Sequence, residues 1–214
     1  METTTPPKRP DYPATLTIDY PDRPLNRLTT FFRIFTVIPI AIVLGLVAGG
    51  MSDLGMPSGL SWEWGAGGIL FLPVLLMILF RQKYPRWWFD WNLALIRFVN
   101  RVAAYISLLT DVYPSTDEEQ SVHIEFPYPD AANDLDRALP LVKWLLAIPH
   151  YIILVFLGIA AFVCVVIAWF AILFTGRYPR TLFDFVVGVY RWSLRVGAYA
   201  FLLITDRYPP FSLD

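Results

Sequence analysis

KYPRWWFDW, residues 83–91, and RYPRTLFDF, residues 177–185, are one phrase written twice at an offset of 94 residues, Tyr84 falling on Tyr178. Working outward, Arg97, Arg101, Val102, Ala104 and Tyr105 align with Arg191, Arg195, Val196, Ala198 and Tyr199. After one extra residue, TDVYP (110–114) aligns with TDRYP (205–209). Upstream, TIDYP (17–21) resembles HIEFP (123–127), and FRIFTVIP (32–39) resembles VKWLLAIP (142–149). Matches kept in this order predict a tandem duplication: a flexible arm at 1–14, a first repeat at 15–114, a linker at 115–121 and a second repeat at 122–214.

The 214 residues are 56% hydrophobic and 16% aromatic, with a mean hydropathy of +0.50. Those values together describe a membrane protein and not an ordinary soluble domain. A net charge of -1 gives no basis for a nucleic-acid partner. Cys164 stands alone, so no internal disulfide is available, and with two distant histidines it makes a poor metal set. The opening METTTPPKRPDYP lacks the apolar core of a signal peptide and is expected to stay in the cytosol.

Each half reads alike. LTIDY or SVHIEF alternates like a strand ending at a proline turn. A long apolar region follows, and the repeated phrase then opens an amphipathic helix. In the first half, residues 49–68 interrupt the apolar region with glycines, a proline and charges that cannot continue a helix across lipid. By comparison, the second half is expected to turn near Gly158. The expected fold is thus an all-α membrane protein, a tandem parallel repeat with a short strand-like segment, a transmembrane helical hairpin and a cytosolic-side amphipathic helix in each half. Spans at 28–48, 64–80, 139–157 and 159–174 each approach the roughly 17–20 residues of a crossing. All 17 Lys and Arg avoid the two hairpin connections, which carry only Asp53 and Glu63. That asymmetry predicts a multi-pass protein with both termini cytosolic.

At 100° per residue, Asp90, Ala94, Arg97, Arg101 and Ala104 share one stripe, and Trp88, Trp91, Leu95 and Phe98 share the opposite face. This predicts a helix in the interface, with Tyr84, Pro85, Tyr178 and Pro179 at the entries and the prolines in the first turn. The second stripe, Asp184, Gly188, Arg191, Arg195 and Ala198, has more apolar neighbours, so Asp184 is expected deeper than Asp90. Arg97, Arg101, Arg191 and Arg195 recur one turn apart and, with Arg86 and Arg180, are candidates to hold an anionic lipid or an acidic partner. Ala94, Gly188 and Ala198 would leave room for a headgroup. The competing reading makes Asp90 and Asp184 a structural polar stripe, with internal salt bridges. No residue carries a catalytic or metal-binding assignment, and no cofactor is implied. His150 reads as an interfacial helix residue, His123 as a strand surface residue, Cys164 as packing, the run Asp117, Glu118 and Glu119 as a solvated linker, and Trp62 and Trp64 as an aromatic belt.

The duplicated pattern of an apolar segment closing on Ile38-Pro39 or Ile148-Pro149, followed by F-x-x-x-Y-P-x-x-x-F-D at 80–90 and 174–184, resembles a bacterial family known only as domain of unknown function 4389. The resemblance spans 15–209 and implies a bacterial plasma-membrane setting with no established activity. The functional expectation is a non-enzymatic accessory subunit of a membrane complex or a lipid-organising scaffold, whose partners are anionic lipids and other subunits or itself. A small oligomeric transporter or channel is the alternative, although the spans contain few polar residues to line a pathway. A phospholipid-modifying enzyme using Asp90 or Asp184 ranks below both.

Overall fold

The computed structural model describes residues 12–47, 72–116 and 118–214. In chain order the elements are β1 (Thr15–Ile18), α1 (Arg27–Phe31), α2 (Arg33–Val47), α3 (Leu72–Arg81), α4 (Arg86–Ile106), β2 (Val122–Glu125), α5 (Pro140–Leu146), α6 (Ile148–Thr175) and α7 (Arg180–Ala200). The connection at 49–68 with Asp53, Trp62, Glu63 and Trp64, most of the N-terminal arm, the start of the span expected at 64–80, and Asp117 lie outside the described residues.

Both amphipathic helices begin at a Tyr-Pro step. Pro85 (φ −64°, ψ 127°) and Pro179 (φ −61°, ψ 126°) are the capping residues, one position ahead of the first turn expected for them. The pyrrolidine ring already holds φ near the helical value and needs no donor, so the chain passes there from extended to helical. Both helices end in a left-handed leucine, Leu108 (φ 63°) after α4 and Leu203 (φ 55°) after α7. That conformation costs a non-glycine residue about 1 kcal/mol, and here the buried leucine side chains hold it in the core.

The two strands come from different halves of the sequence and pair antiparallel, with Leu16 opposite Ile124 and Thr17 opposite His123. Alternation turns Leu16, Ile18, Val122 and Ile124 into the core and leaves Thr17, His123 and Glu125 outside. β1 packs on α7 and β2 on α4; beyond them α7 packs on α6 and α4 on α2. The order of layers is therefore sheet, amphipathic helices, apolar helices.

The hairpin expected at 139–174 is corrected by the structure. Residues 148–175 form one unbroken helix of 28 residues. Around Gly158 the sequence offers no polar group to take over the backbone hydrogen bonds of a turn, whereas a glycine inside a helix costs only about 1 kcal/mol. The break comes earlier, at Ala147 between α5 and α6. α6 ends at Gly176, which is left-handed (φ 75°), donates to the Ile172 carbonyl at 2.7 Å and accepts from the Leu25 N–H at 2.8 Å. Among the described residues α6 is the one helix long and apolar enough to cross a membrane.

Gly158 and Gly176 separate the two readings of this segment. A Cβ at Gly158 meets nothing within 4 Å, so Gly158→Ala should raise the stability of the detergent-solubilised protein by about 0.5–1 kcal/mol through helix propensity. Gly176→Ala should lower it by about 1 kcal/mol through backbone strain. Thermal melts of both variants check this, and a loss at Gly158→Ala would restore the turn.

Candidate functional site

The apolar helices are rooted by two buried cations. Lys143 of α5, with no solvent exposure, donates to the Thr205 carbonyl at 2.8 Å, pairs with Asp206 at 2.6 Å and lies 5.2 Å from the Tyr199 ring centroid. Arg33 of α2 donates to the Thr110 carbonyl at 3.1 Å, pairs with Asp111 at 2.6 Å and lies 3.9 Å from the Tyr105 centroid. Each aspartate also accepts a backbone N–H, Asp111 from Asn26 and Asp206 from Asp136, both at 2.6 Å. Asn26 in turn accepts from Leu28 and Thr29, and Asp136 from Ala138 and Leu139. Burial pulls the Lys143 ammonium below its ordinary pKa range, and the hydrogen bond and charge of Asp206 act against that pull. Sequence reasoning missed this site. Its signal was the single cation at matched positions of FRIFTVIP and VKWLLAIP, together with the repeated Thr-Asp.

The four stripe arginines point into the body. Arg97 donates through Nε and a terminal nitrogen to the Ile124 carbonyl at 3.1 and 3.0 Å. Arg191 donates to the carbonyls of Leu16 at 3.1 Å and Leu213 at 3.0 Å. Arg101 reaches the Ser115 carbonyl at 3.0 Å and Arg195 the Ser212 carbonyl at 3.4 Å. The pairs are not brought together: one serves β2 and the linker, the other β1 and the C-terminal tail. Arg191 and Arg195 line a 490 Å³ cleft with Tyr12, Thr15 and Asp214. Burial, followed by the charge of Arg191, lowers the Arg195 pKa. The room expected beside Gly188 is taken by the tail, since a Cβ there would meet Leu213 at 3.0 Å.

The aspartate expectation is also corrected. Asp90 and Asp184 are both exposed; each follows a buried phenylalanine, Phe89 or Phe183, and lies on the side of its helix turned away from the core. Asp184 makes a solvated pair with Arg180 at 3.4 Å. Arg86 and Arg180 are exposed, with their guanidinium groups over the rings of Tyr128 (5.2 Å) and Tyr20 (4.4 Å). His150 is fully buried instead of interfacial, accepting from Trp192 Nε1 at 3.0 Å and stacking on Phe211. His123 is exposed on β2, 3.0 Å from Asp19.

Two further features lie toward the apolar side. A groove of about 790 Å³ runs between α2 and α6, with Leu108, Val186 and Val189 at its floor and Ile34, Phe162 and Phe170 at its exposed walls. Exposed basic residues collect where the apolar helices end: Arg81 at the end of α3 with Lys83 and Arg86 beyond it, and Arg177 and Arg180 after α6. Arg27 lies beside Gly176, and Arg137 donates to Gln82. Among the described residues no three of His, Cys, Asp and Glu are grouped to hold a metal.

These features define a largely helical protein with, among the described residues, one helix long and apolar enough to cross a membrane and with the polar contacts of its stripe arginines directed inward. Residues 139–212 match the family model described as Domain of unknown function (DUF4389), so that segment carries this domain. No curated protein and no solved structure matches the chain.

Lys143→Met should cost about 3 kcal/mol of stability, because it leaves Asp206 facing a desolvated space without its partner. Arg191→Gln should cost about 2 kcal/mol, the value of charge-assisted bonds to otherwise unpaired carbonyls. Asp184→Asn, on the surface, should stay within about 0.5 kcal/mol. Denaturant or thermal melts of the three variants in one detergent check that order.

Proposed function

We propose that the protein is a non-enzymatic membrane protein, an accessory subunit of a membrane complex or a lipid-organising scaffold, seated in a bacterial plasma membrane. The observation that carries this is the exposed apolar surface of α6 and of α1 with α2. Phe162 and Phe174 of α6 are 69% and 78% exposed, and Ile34 and Phe35 of α2 are 77% and 67% exposed. An apolar surface of that kind, far larger than scattered surface residues produce, calls for lipid or a partner to cover it. The basic residues at the ends of α3 and α6 suit an anionic headgroup layer, at about 1 kcal/mol per charge. By the positive-inside tendency that collar belongs on the cytosolic side, and the termini with it.

The same reading takes the chain as two copies of one unit. Matched positions of the two halves make matched contacts: Arg33 and Lys143, Asp111 and Asp206, Arg97 and Arg191. Because the stripe arginines are engaged with backbone carbonyls, the lipid- or partner-binding role passes to the exposed Arg86 and Arg180 and their basic neighbours.

Purification in gentle detergent, with mass spectrometry of bound lipids and proteins, tests this. The expected result is enriched anionic lipid or a stoichiometric protein partner. Replacing Arg81, Lys83, Arg177 and Arg180 together by glutamine should then reduce the anionic share of the lipid severalfold without lowering the melting temperature. A protein released from membranes by alkaline carbonate, with neither lipid nor partner attached, would sink the reading.

A further inference from the structure

Length and composition allow α6 to cross a membrane, but its packing points elsewhere. We infer that α6 lies lengthwise in one leaflet, parallel to the membrane surface, with the rest of the protein stacked above it toward water; this rests on the membrane-seated reading above.

The first observation is how α6 is fastened. Its contacts with the body recur every three or four residues from one end to the other, through His150, Leu154, Leu157, Ala161, Val165, Ala168 and Ile172. At the N-terminal end His150 is held by Trp192 and Phe211. At the C-terminal end Trp169 Nε1 donates to the Thr30 carbonyl at 3.2 Å, and the Gly176 carbonyl is taken by Leu25. A helix of 28 residues is about 42 Å long, and this one is tied to a single body along that whole length.

The second observation is what stands behind it. α7 has α6 on one side and β1 on the other, and Arg191, midway along α7, holds the Leu16 carbonyl. The outer face of the sheet exposes Thr17, His123 and Glu125, with Asp19 beside His123. If α6 stood along the bilayer normal, α7 and the sheet would stand beside it at the same depth. The charged outer face of the sheet and its open edges would then meet hydrocarbon, at several kcal/mol for each unsatisfied group. Laid flat, the same layers run from hydrocarbon at α6, through α7, to water at the sheet.

Neighbouring elements fit the flat orientation. Phe31 of α1 stacks on Trp169 of α6, and the groove between α2 and α6 opens between exposed Ile34 on one side and Phe162 and Phe170 on the other. α2, at 15 residues, is short for a crossing of about 20 but long enough to lie beside α6. Arg177 and Arg180 then sit at the headgroup level where α6 ends.

Depth measurement by spin labels in vesicles containing anionic lipid tests the orientation. Ile152, Val163 and Phe174 are exposed and spaced eleven residues apart, so they share one face of α6 at steps of about 16 Å. Single cysteines at these positions in a Cys164→Ala background should report one common depth within a leaflet, while Glu125→Cys reports water. A maximum depth at position 163, with 152 and 174 near opposite headgroup layers, would overturn the flat orientation and leave the membrane-seated reading intact. Water contact at all three would overturn both. The series Ile148, Ile159 and Phe170, also exposed at the same spacing, repeats the measurement should a first-series variant fold poorly.

Discussion

The Lys143 ammonium has no solvent contact, and its surroundings are arranged to compensate for that. Asp206 supplies the opposite charge, the Thr205 carbonyl an acceptor, and the Tyr199 ring an electron-rich face. A buried cation is tolerated only when its partners offset several kcal/mol of lost hydration. The geometry around it is therefore narrowly constrained. Because Lys143 lies on α5 and its partners follow α7, the pair joins the root of the long apolar helix to the far end of the amphipathic helix that supports it. Arg33 joins α2 to the residues after α4 in the same way. The course of each apolar helix is set from these two roots.

Around the roots, the contacts cross between the halves of the sequence. β1 pairs with β2. Arg191, in the second half, holds the carbonyl of Leu16 in the first, and Arg97, in the first, holds that of Ile124 in the second. The Tyr20 hydroxyl donates to the Tyr178 carbonyl, and the Tyr128 hydroxyl to the Tyr84 carbonyl. Arg86 lies over Tyr128 and Arg180 over Tyr20. The two stretches that read as repeats are thus interlocked, and the strand of each is completed by the amphipathic helix of the other.

Much of the local structure was legible. The Tyr-Pro steps mark both helix starts because proline fixes φ, and the alternation in LTIDY and SVHIEF gives the inward and outward faces of the strands. The crossing of contacts was not, since an internal alignment states which residues correspond but not which copy of a strand meets which copy of a helix. The arginine stripes were read correctly as one face of a helix. A helical wheel, however, shows only that Arg97 and Arg101 face the same way; what they face is decided by tertiary packing. Arg33 and Lys143 stood at matched positions, but a cation at the root of an apolar helix also suits a headgroup anchor, and only the aspartates arriving after α4 and α7 separate the two roles. Gly158 was misleading because it was read through the first half, whose sequence interrupts the apolar region with many glycines, a proline and charges together and not with a lone glycine.

The exchange of strands also governs the timing of synthesis. β1 leaves the ribosome early, but its only pairing partner among the described residues, β2, follows about a hundred residues later. At translation rates of about 5–20 residues per second, that is an interval of roughly 5–20 s. Throughout it, the nascent first half presents an open strand edge, and over its last 27 residues also the unmatched guanidinium of Arg97, which waits for the Ile124 carbonyl. An open edge is a site for pairing with the wrong chain. Two nascent copies on neighbouring ribosomes therefore each present an open edge before either can close on itself, and prompt arrival of the second half is what keeps the closure within one molecule.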